Sequence, residues 1–476
     1  MRFLISLLLA FPAFAQVGVP GSFFSSANGQ PANCSTVAGF PAPAVCTAPG
    51  ELPLGSFPVP AQGGTYSDPN FGSTVRILTP AGQNRHSYSS PTAMSTSGKY
   101  ALVTLNSNTT AIIDTTTGVP VRQMARKQRS WSSGEAVWDT RSDTVLYFLS
   151  GYWNGVKWIN DRLMKYDVAA DVETLVQDYA LAPYNFAWVA RGGTGDMSKD
   201  GWLPFYTPEK VCVVQVASGN TVCAAYSNVG GLPWTFIDFV SISKGPDRST
   251  GKHYVMMQGQ PANAMFEFDP AAGTLTFQFR GPEMPSAVMG WGNGNGVCEP
   301  GESCLAQSHS DTFEDSMGNQ YLVRAVQLRN PCSWVLTTMR MSAGLGMVKG
   351  VAEGGGRTDV ALLARCASTP WPGLHVGCAR KSPFCSISLE NRPLLPSPLR
   401  DGAPYNGEIW VMRDNGAEFR RVAMHRSVIQ TYYDQPRVCI SDTGAKVLWD
   451  SNFGVPNSYR VVVAESGMRQ LLRLVF

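Results

Sequence analysis

The stretch "ISDTGAKVLWDS" (residues 440–451) has the pattern of a β-hairpin, with an apolar start, a Ser-x-x-Gly turn and a second apolar strand. Glycine and serine favour tight turns, and branched and aromatic side chains favour strands. Hairpins of this kind recur in "MSTSGKYALVTL" (94–105), "MSKDGWLPFY" (197–206), "EDSMGNQYLVRA" (314–325) and, with an altered or longer turn, in residues 137–150 and 241–257. Each copy is followed by a second hairpin, so the repeating unit has four antiparallel strands.

This repeat predicts an all-β fold of the β-propeller class. No segment has a sustained apolar period of 3.6 residues, and the units return about every 40–60 residues, which is the spacing of propeller blades. Six blades, eight blades and a two-sheet sandwich are the alternatives; the sandwich is disfavoured because the units resemble one another. We predict seven four-stranded antiparallel blades, near residues 86–130, 131–182, 183–230, 231–290, 305–356, 357–424 and 425–476.

The two ends of the chain differ from the repeats. Residues 1–15 have an early arginine, an apolar run and a small-x-small end, which predict a cleaved secretory signal peptide; a buried first strand is the alternative. Residues 16–65, rich in Pro, Gly and Ala, predict a loosely ordered lead-in to a propeller over residues 66–476. Within it, residues 66–80 contain a strand that would close the ring against the last blade. We expect a secreted protein, extracellular or periplasmic, with no membrane span.

Composition restricts the compartment and the partners. Eleven cysteines fit an oxidising compartment, and Cys212 and Cys223 flank a predicted hairpin in a register that puts both on one face. The pairing of the other cysteines stays open, and the odd count leaves one thiol unpaired or intermolecular. A net charge of +3 with 15% charged residues and no Lys/Arg stripe argues against a nucleic-acid partner. We expect a monomer.

Four of the five histidines, His86, His309, His375 and His425, come shortly before a predicted innermost strand. In a propeller the segments that lead into innermost strands lie on one face around the central channel, so these residues would converge. Each histidine alone could instead be a loop residue that bonds to a neighbour. Because four share one offset, we predict a polar site there, and we expect His253, inside a strand, to be structural. The same segments carry Arg85, Tyr88, Asp311, Arg380, Gln435 and Arg437.

Four segments carry a resemblance to a known group: "RHSYS" (85–89), "HSDTFEDSMGNQYLV" (309–323), "LHVGCARKSPFCSISL" (374–389) and "YYDQPRVCISDTGAKVLWDSNFG" (432–454). Over roughly residues 66–476 the chain resembles the secreted seven-bladed propellers that include oligogalacturonate lyases and, more distantly, propeller ulvan lyases. The resemblance implies a divalent metal, manganese or calcium, held by His309, His375, His425 and Gln435. The chain departs from the lyases where they carry another histidine shortly after the glutamine, because here Arg437 occupies that region. A cation cannot ligate a metal, but it could pair with a uronate carboxylate.

The first functional hypothesis is a polysaccharide lyase that cleaves a uronic-acid-containing glycan, an acidic polysaccharide or oligosaccharide, by β-elimination. Arg437 or a metal would neutralise the carboxylate, and His86 or His309 would remove the proton. Tyr88 or Tyr184 would protonate the leaving oxygen. The full catalytic set is His86, Tyr88, Tyr184, Arg191 and Arg437.

Two other hypotheses stay open, so the sequence does not decide whether the protein is an enzyme. The second is a non-catalytic secreted propeller that binds glycan or a protein partner through the same face, since the fold alone does not specify an activity. The third places Ca²⁺ in the loop "GNGNGVCEPGESC" (292–304), although a disulfide-closed surface insert explains that stretch better.

Overall fold

Seven antiparallel sheets arranged in a ring form a β-propeller, as predicted. The structure is a computed structural model. It describes residues 34–35, 45–46, 58–69, 71–90, 92–106, 109–125, 136–153, 158–187, 189–190, 195–226, 236–260, 263–280, 310–329, 332–343, 357–365, 374–389, 407–414, 418–429, 434–455 and 457–467. Among these residues there is no α-helix, and the one short 3₁₀ turn spans Met341–Ala343.

The strands follow the predicted hairpins. Four strands precede the first blade: β1 (Cys34–Ser35), β2 (Val45–Cys46), β3 (Thr65–Ser67) and β4 (Thr74–Ile77). Blade 1 contains β5 (Arg85–His86), β6 (Tyr100–Leu105), β7 (Thr109–Asp114) and β8 (Pro120–Ala125). Blade 2 contains β9 (Ala136–Trp138), β10 (Val145–Trp153), β11 (Trp158–Asp167) and β12 (Val172–Asp178). Blade 3 contains β13 (Trp202–Tyr206), β14 (Lys210–Gln215) and β15 (Thr221–Ala225). In blade 3 the innermost position is marked by a single bridge from Ala190 to Tyr206.

The other four blades complete the ring. Blade 4 contains β16 (Phe236–Ile242), β17 (His253–Gln260), β18 (Asn263–Asp269) and β19 (Thr274–Arg280). Blade 5 contains β20 (Asp311–Glu314), β21 (Gln320–Arg329), β22 (Cys332–Arg340) and β23 (Arg357–Arg365). Blade 6 contains β24 (Leu374–Cys378), β25 (Phe384–Leu389), β26 (Glu408–Arg413) and β27 (Glu418–Met424). Blade 7 contains β28 (Val438–Ile440), β29 (Lys446–Ser451) and β30 (Arg460–Glu465). The first strand of each blade lies towards the ring centre.

The Ser-x-x-Gly turn forms for local reasons. In blade 7 the Ser441 amide donates to the Lys446 carbonyl (2.9 Å), and the Ser441 hydroxyl accepts from the Lys446 amide (3.1 Å). Gly444 has a φ of 73°, a left-handed conformation that favours glycine. Ser95 in blade 1 makes the equivalent bond to the Tyr100 carbonyl (2.9 Å). Each turn therefore starts a second strand beside the first.

The ring is closed by the segment that the sequence indicated. Strand β4 pairs antiparallel with β30, with Val75 opposite Ala464, and adds β3 outside it. A second attachment joins this hairpin to blade 6, because the buried carboxylate of Asp68 accepts from the backbone amides of Phe71 (3.1 Å) and Met424 (3.0 Å). A strand from before the first blade therefore covers the β30 edge of the last blade.

One blade boundary was predicted wrongly. The sequence placed residues 357–424 in one unit, but Arg357–Arg365 is the outermost strand of blade 5, paired with β22, and blade 6 begins at Leu374. The reason is the segment 344–356 between β22 and β23, which is long and rich in glycine, a composition typical of a connection between units. The sequence pattern therefore treats it as a break between blades.

Cysteine pairing agrees with the sequence where the structure describes it. Cys212 and Cys223 are register partners on β14 and β15 and form a disulfide, and Cys378 and Cys385 form a second one in blade 6. Cys439 is a buried free thiol, and burial raises its pKa to about 12. The pair at 298 and 304 lies outside the described residues.

No helix in the described part of the chain has the length and hydrophobicity that crossing a bilayer requires.

Candidate functional site

Four of the predicted site residues lie in one contact cluster. The Tyr88 hydroxyl oxygen is 3.3 Å from His375 Nε2, and the two rings meet edge to face with centroids 5.4 Å apart. Arg437 Cζ lies 4.9 Å from the centre of the Tyr88 ring. His86 Nε2 hydrogen-bonds the backbone carbonyl of Arg437. Segments from blades 1, 6 and 7, more than 350 positions apart in the chain at their extremes, therefore meet at this point.

Three further residues complete what we term the arginine cluster. Arg85 Cζ lies 3.6 Å above the Tyr459 ring. The carboxylate of Asp450 accepts from the His86 amide (3.2 Å) and stands 3.8 Å from His86 Nε2. The arginine cluster is thus the following set: Arg85, His86, Tyr88, His375, Arg437, Asp450 and Tyr459. It combines two guanidinium groups and two imidazoles with one carboxylate, between two tyrosine rings.

Both imidazoles of the cluster are held neutral. Burial lowers the pKa of His86, and the opposing influences of Asp450 and the Arg437 carbonyl do not cancel it. Burial, with the nearby charge of Arg437, holds the pKa of His375 well below its usual range. Because His86 Nε2 bonds a carbonyl oxygen, the ring proton is on Nε2 and the lone pair is on Nδ1. Among the described residues Nδ1 has no hydrogen-bond partner, so His86 has the protonation state of a base.

The two guanidinium groups influence each other. Burial lowers the pKa of Arg85, Asp450 acts in the opposite direction, and the charge of Arg437 lowers it further. Arginine stays charged in proteins, so the cluster keeps two positive charges close together. An anion placed beside them would relieve that repulsion.

The innermost segment of blade 1 contacts three other blades. The Ser90 hydroxyl lies 3.3 Å from Asp311 of blade 5, and the Thr92 hydroxyl donates to the Ile440 carbonyl of blade 7 (2.7 Å). The Ser89 carbonyl packs against Gly377 so closely that a Cβ there would clash with it and would lie 2.8 Å from the Val438 carbonyl. Blade 6 therefore needs glycine at position 377.

A buried ion network crosses the ring next to this segment. Lys244 lies 3.1 Å from Asp311 and 3.6 Å from Asp196. Arg380 binds Asp442 through two nitrogens (2.6 and 2.7 Å) and reaches Asp196 (3.2 Å). All five side chains are at most 1% exposed, and they come from blades 3 to 7. Burial alone would lower the pKa of Arg380, but Asp196 and Asp442 raise it above its usual value.

Two other predicted site residues make hydrogen bonds with backbone groups, and three predicted features lie outside the described residues. His425 uses both ring nitrogens on backbone groups, Nε2 with the Leu389 carbonyl (3.0 Å) and Nδ1 with the Ser427 amide (2.9 Å). Gln435 is buried, and its carbonyl accepts from the Arg437 amide (3.0 Å). His309, Arg191 and the segment 292–304 lie outside the described residues.

Two residues belong to the structural core. Tyr184 packs in an aromatic group at the interface of blades 2 and 3, 5.3 Å from Tyr179 and 5.6 Å from Phe186 between ring centroids. His253 is buried in β17, where it contacts Ser243 (3.2 Å) and Asp200 (3.0 Å). Its placement agrees with the expectation of a structural histidine.

The described residues do not fit a divalent metal. They contain no group of three or more His, Cys, Asp or Glu side chains that could hold one. His425 has both nitrogens in backbone hydrogen bonds, and His375 lies within the field of the Arg437 guanidinium. A cation bound beside His375 would be repelled by that charge.

Asp450, Tyr459 and three members of the ion network (Asp196, Lys244 and Asp442) were missed in the sequence for identifiable reasons, whereas Asp311 and Arg380 were noted in the site segments. Asp450 ends an apolar run and Asp442 occupies a turn, so both have the pattern of ordinary strand-end and turn residues. Tyr459 directly precedes β30, where a tyrosine is most often packing. Asp196 in "TGDMSKDG" (194–201) and Lys244 in "SISKG" (241–245) lie outside the strands, among Ser, Gly and other charged residues, so they also have the pattern of turn residues.

Comparisons with known proteins agree with the fold. No protein-family model and no curated protein sequence matches the chain. Among solved structures it is similar to an oligogalacturonate lyase in complex with manganese, with a TM-score of 0.51 and 12% identity over 86% of this chain and 96% of the lyase. An oligogalacturonate lyase from Vibrio parahaemolyticus gives a TM-score of 0.49 and 10% identity over 84% and 96% of the two chains. The WD40 repeats of RRP9 give 0.42 and 8% over 84% and 99%. At these identities the likeness shows the propeller fold alone.

Proposed function

We propose that the protein is a secreted lyase-like propeller that binds a uronic-acid-containing glycan at the arginine cluster and cleaves it by β-elimination. The observation that carries the proposal is the meeting of His86, Tyr88, His375 and Arg437 in one contact cluster formed by blades 1, 6 and 7. The first of the lyases compared above is named for oligogalacturonate, a uronate, which supports this substrate class.

The cluster provides the groups that β-elimination needs. The reaction requires the carboxylate to be neutralised so that the adjacent C–H becomes acidic, and a guanidinium binds a carboxylate in two parallel hydrogen bonds. Arg437 is the group for that role. His86 is neutral and carries its lone pair on Nδ1, so it is the group to remove the proton.

Proton delivery to the leaving oxygen falls to Tyr88. Its hydroxyl stands 3.3 Å from His375 Nε2, and the neutral imidazole holds the hydroxyl in place. Of the residues proposed from sequence, Tyr184 takes no part in this arrangement because its ring packs between blades 2 and 3. Roles for Arg191 and for His309 stay proposals from the sequence.

A divalent metal is the other means of neutralising a carboxylate, and the lyase with a TM-score of 0.51 is a manganese complex. For this chain a metal would have to be held by His309 together with His375, His425 or Gln435. The hydrogen bonds of His425 and the charge of Arg437 argue against that set among the described residues. We therefore derive the chemistry from the side chains alone.

The second candidate function is a non-catalytic propeller that binds a glycan or a protein partner through the same face. The burial of the cluster favours it: His86 is 2% exposed and His375 is fully buried. Substrate would have to reach a base that solvent barely contacts. Under this alternative the buried cluster stabilises the propeller, and the partner binds to the surface of the same face without turnover.

We also propose that the protein is located outside the cytoplasm, is a monomer and has no nucleic-acid partner. Two disulfides in the described residues support an oxidising compartment. The predicted signal peptide, residues 1–15, supports the same compartment.

The test is incubation of the purified protein with pectate fragments, ulvan and other uronate glycans, while the absorbance of the unsaturated product is recorded. We expect the absorbance to rise with at least one of them and to stay flat for the His86→Ala variant. Saturable binding with no absorbance change for any uronate would replace the lyase with the non-catalytic function.

A further inference from the structure

We infer that Asp450 is the positioning residue of the proposed base: its carboxylate holds the His86 imidazole and stabilises the imidazolium that forms when His86 takes up the substrate proton. The inference rests on the proposed lyase function and specifies how that site generates its base. Asp450 acts through His86 and needs no contact with the substrate.

The placement of Asp450 makes one carboxylate serve both the backbone and the ring of His86. Asp450 lies in β29, the second strand of blade 7, and His86 ends β5, the innermost strand of blade 1. Asp450 Oδ1 accepts from the His86 amide (3.2 Å) and stands 3.8 Å from His86 Nε2. Both side chains are at most 2% exposed. The contact therefore fixes the His86 ring against the neighbouring blade, away from bulk solvent.

A second acceptor at the same ring nitrogen fixes the tautomer of His86. Nε2 hydrogen-bonds the Arg437 carbonyl, which can only accept, so Nε2 carries the proton. The carboxylate of Asp450 lies near that N–H group and favours the same tautomer through its negative charge. The lone pair is left on Nδ1, which has no hydrogen-bond partner among the described residues. The two acceptors together hold the protonation state that a base requires.

The charges around His86 make Asp450 the group that stabilises its cation. Burial lowers the pKa of His86, Asp450 raises it, and the charges of Arg437 and Arg85 lower it further. The imidazole of His375 from blade 6 is neutral, because burial holds its pKa well below the usual range. Of these groups Asp450 is the anion. A proton on His86 is therefore favoured by the carboxylate at 3.8 Å and opposed by the two guanidinium groups.

Asp450 stays ionised throughout the proposed proton transfer. The substrate C–H bond breaks and its proton moves to His86 Nδ1, while the electron pair forms the new C=C bond and the bond to the leaving oxygen breaks. Tyr88 gives that oxygen its proton, and His86 and Tyr88 return to their starting states by exchange with solvent. Because the carboxylate keeps its charge, its attraction for the ring grows as the ring becomes positive, which lowers the barrier.

The first experiment titrates His86 by NMR in protein that contains isotope-labelled histidine, with the His86 signal assigned through His86→Ala. Asparagine at position 450 keeps an oxygen that can accept from the His86 amide and removes the charge. We therefore expect Asp450→Asn to move the titration midpoint of His86 to lower pH, because the parent carboxylate raises that pKa. A purely structural carboxylate would leave the midpoint unchanged. Asp178→Asn is the matched control: it removes a carboxylate paired with the exposed Arg162 and should not move the midpoint.

The second experiment measures cleavage of a galacturonate trimer through the absorbance of the unsaturated product. We expect Asp450→Asn to lower kcat about 10- to 100-fold, a part of the ~10²–10⁴-fold that a general base contributes. KM should change by less than about twofold, because Asp450 does not touch the substrate. The acid limb of the pH–rate profile should move to lower pH together with the His86 midpoint, since the base acts only when it is neutral.

The outcomes separate this inference from the proposed function. If the parent protein cleaves the trimer while Asp450→Asn leaves the His86 midpoint and kcat unchanged, the inference is overturned and the lyase function stands. If the parent protein cleaves no uronate, the proposed function is overturned and the inference falls with it. The tautomer of His86 is read in the parent protein, so it does not depend on the folding of any variant: a proton on Nδ1 instead of Nε2 would also overturn the inference.

Discussion

Replacement of Arg380 by methionine tests the ion network that crosses the ring. Arg380 is fully buried and bonds two oxygens of Asp442, one of Asp196 and the Trp138 carbonyl (2.7 Å). Methionine fills much of the same volume but leaves Asp196 and Asp442 as buried carboxylates without that guanidinium. Removing one partner of a buried ion pair costs about 3–5 kcal/mol, because the remaining charge stays desolvated.

The matched control is Arg162→Met. Arg162 pairs with Asp178 (3.3 Å), but its side chain is 55% exposed, and surface pairs of this kind contribute about 0–1 kcal/mol. The same substitution at the two positions therefore separates the cost of a buried charge from the cost of losing an arginine.

The assay is equilibrium unfolding in urea, followed by tryptophan fluorescence with the disulfides intact. We expect the free energy of unfolding to fall by about 3–5 kcal/mol for Arg380→Met and by less than about 1 kcal/mol for Arg162→Met. If the two variants lose the same amount, or if Arg380→Met loses less than about 1 kcal/mol, the network does not stabilise the ring as we argue.

Three further predictions concern single features of the fold. Gly377→Ala should lower the free energy of unfolding by about 1–3 kcal/mol in the same urea assay, because the new Cβ meets two backbone carbonyls; an unchanged midpoint would contradict the close packing. Replacing both Cys212 and Cys223 by serine should cost about 2–4 kcal/mol, measured against the parent protein under non-reducing conditions, and a loss below ~1 kcal/mol would argue against the bond. Burial raises the pKa of Asp200, but His253 and the Ser198 hydroxyl, together with a backbone hydrogen bond, hold that pKa below the usual range. The ionised carboxylate therefore adds stability that is present above about pH 4 and lost as the pH falls through the lower native value, so Asp200→Asn should show a shallower loss of stability in acid; an identical acid profile would refute this.

The fold was predictable because its signals are local. Ser441 and Gly444 form a turn through bonds within six residues, and the same turn in other blades marks the same point of each unit. The closing strand was predictable because its apolar pattern precedes the first unit and is left over once the hairpins of the seven units are assigned. The boundary of blades 5 and 6 was not, because β22 and β23 are joined by a long glycine-rich segment that has the composition of a connection between blades.

The site was predictable in part for a topological reason. Residues at one offset in each blade converge, and this brought His86, Tyr88, His375 and Arg437 together. The same reasoning cannot indicate which side chain hydrogen-bonds to backbone groups instead, as both ring nitrogens of His425 do.

The position of Asp450 and the pairing within the ion network could not be predicted for a different reason. Each charge pairs with a residue from another blade, as Arg380 does with Asp196, 184 positions away. Such pairs depend on the three-dimensional arrangement of the blades, which the pattern of one unit does not contain.

The central claim, that the arginine cluster binds a uronate carboxylate, is tested most directly by titrating the parent protein with a galacturonate trimer and with the same trimer after its carboxylates are reduced to alcohols. We predict saturable one-to-one binding of the acid form and at least tenfold weaker binding of the reduced form, since a charged hydrogen-bonded pair contributes about 1.5–3 kcal/mol. Equal binding of the two trimers, or binding of neither, would contradict the account.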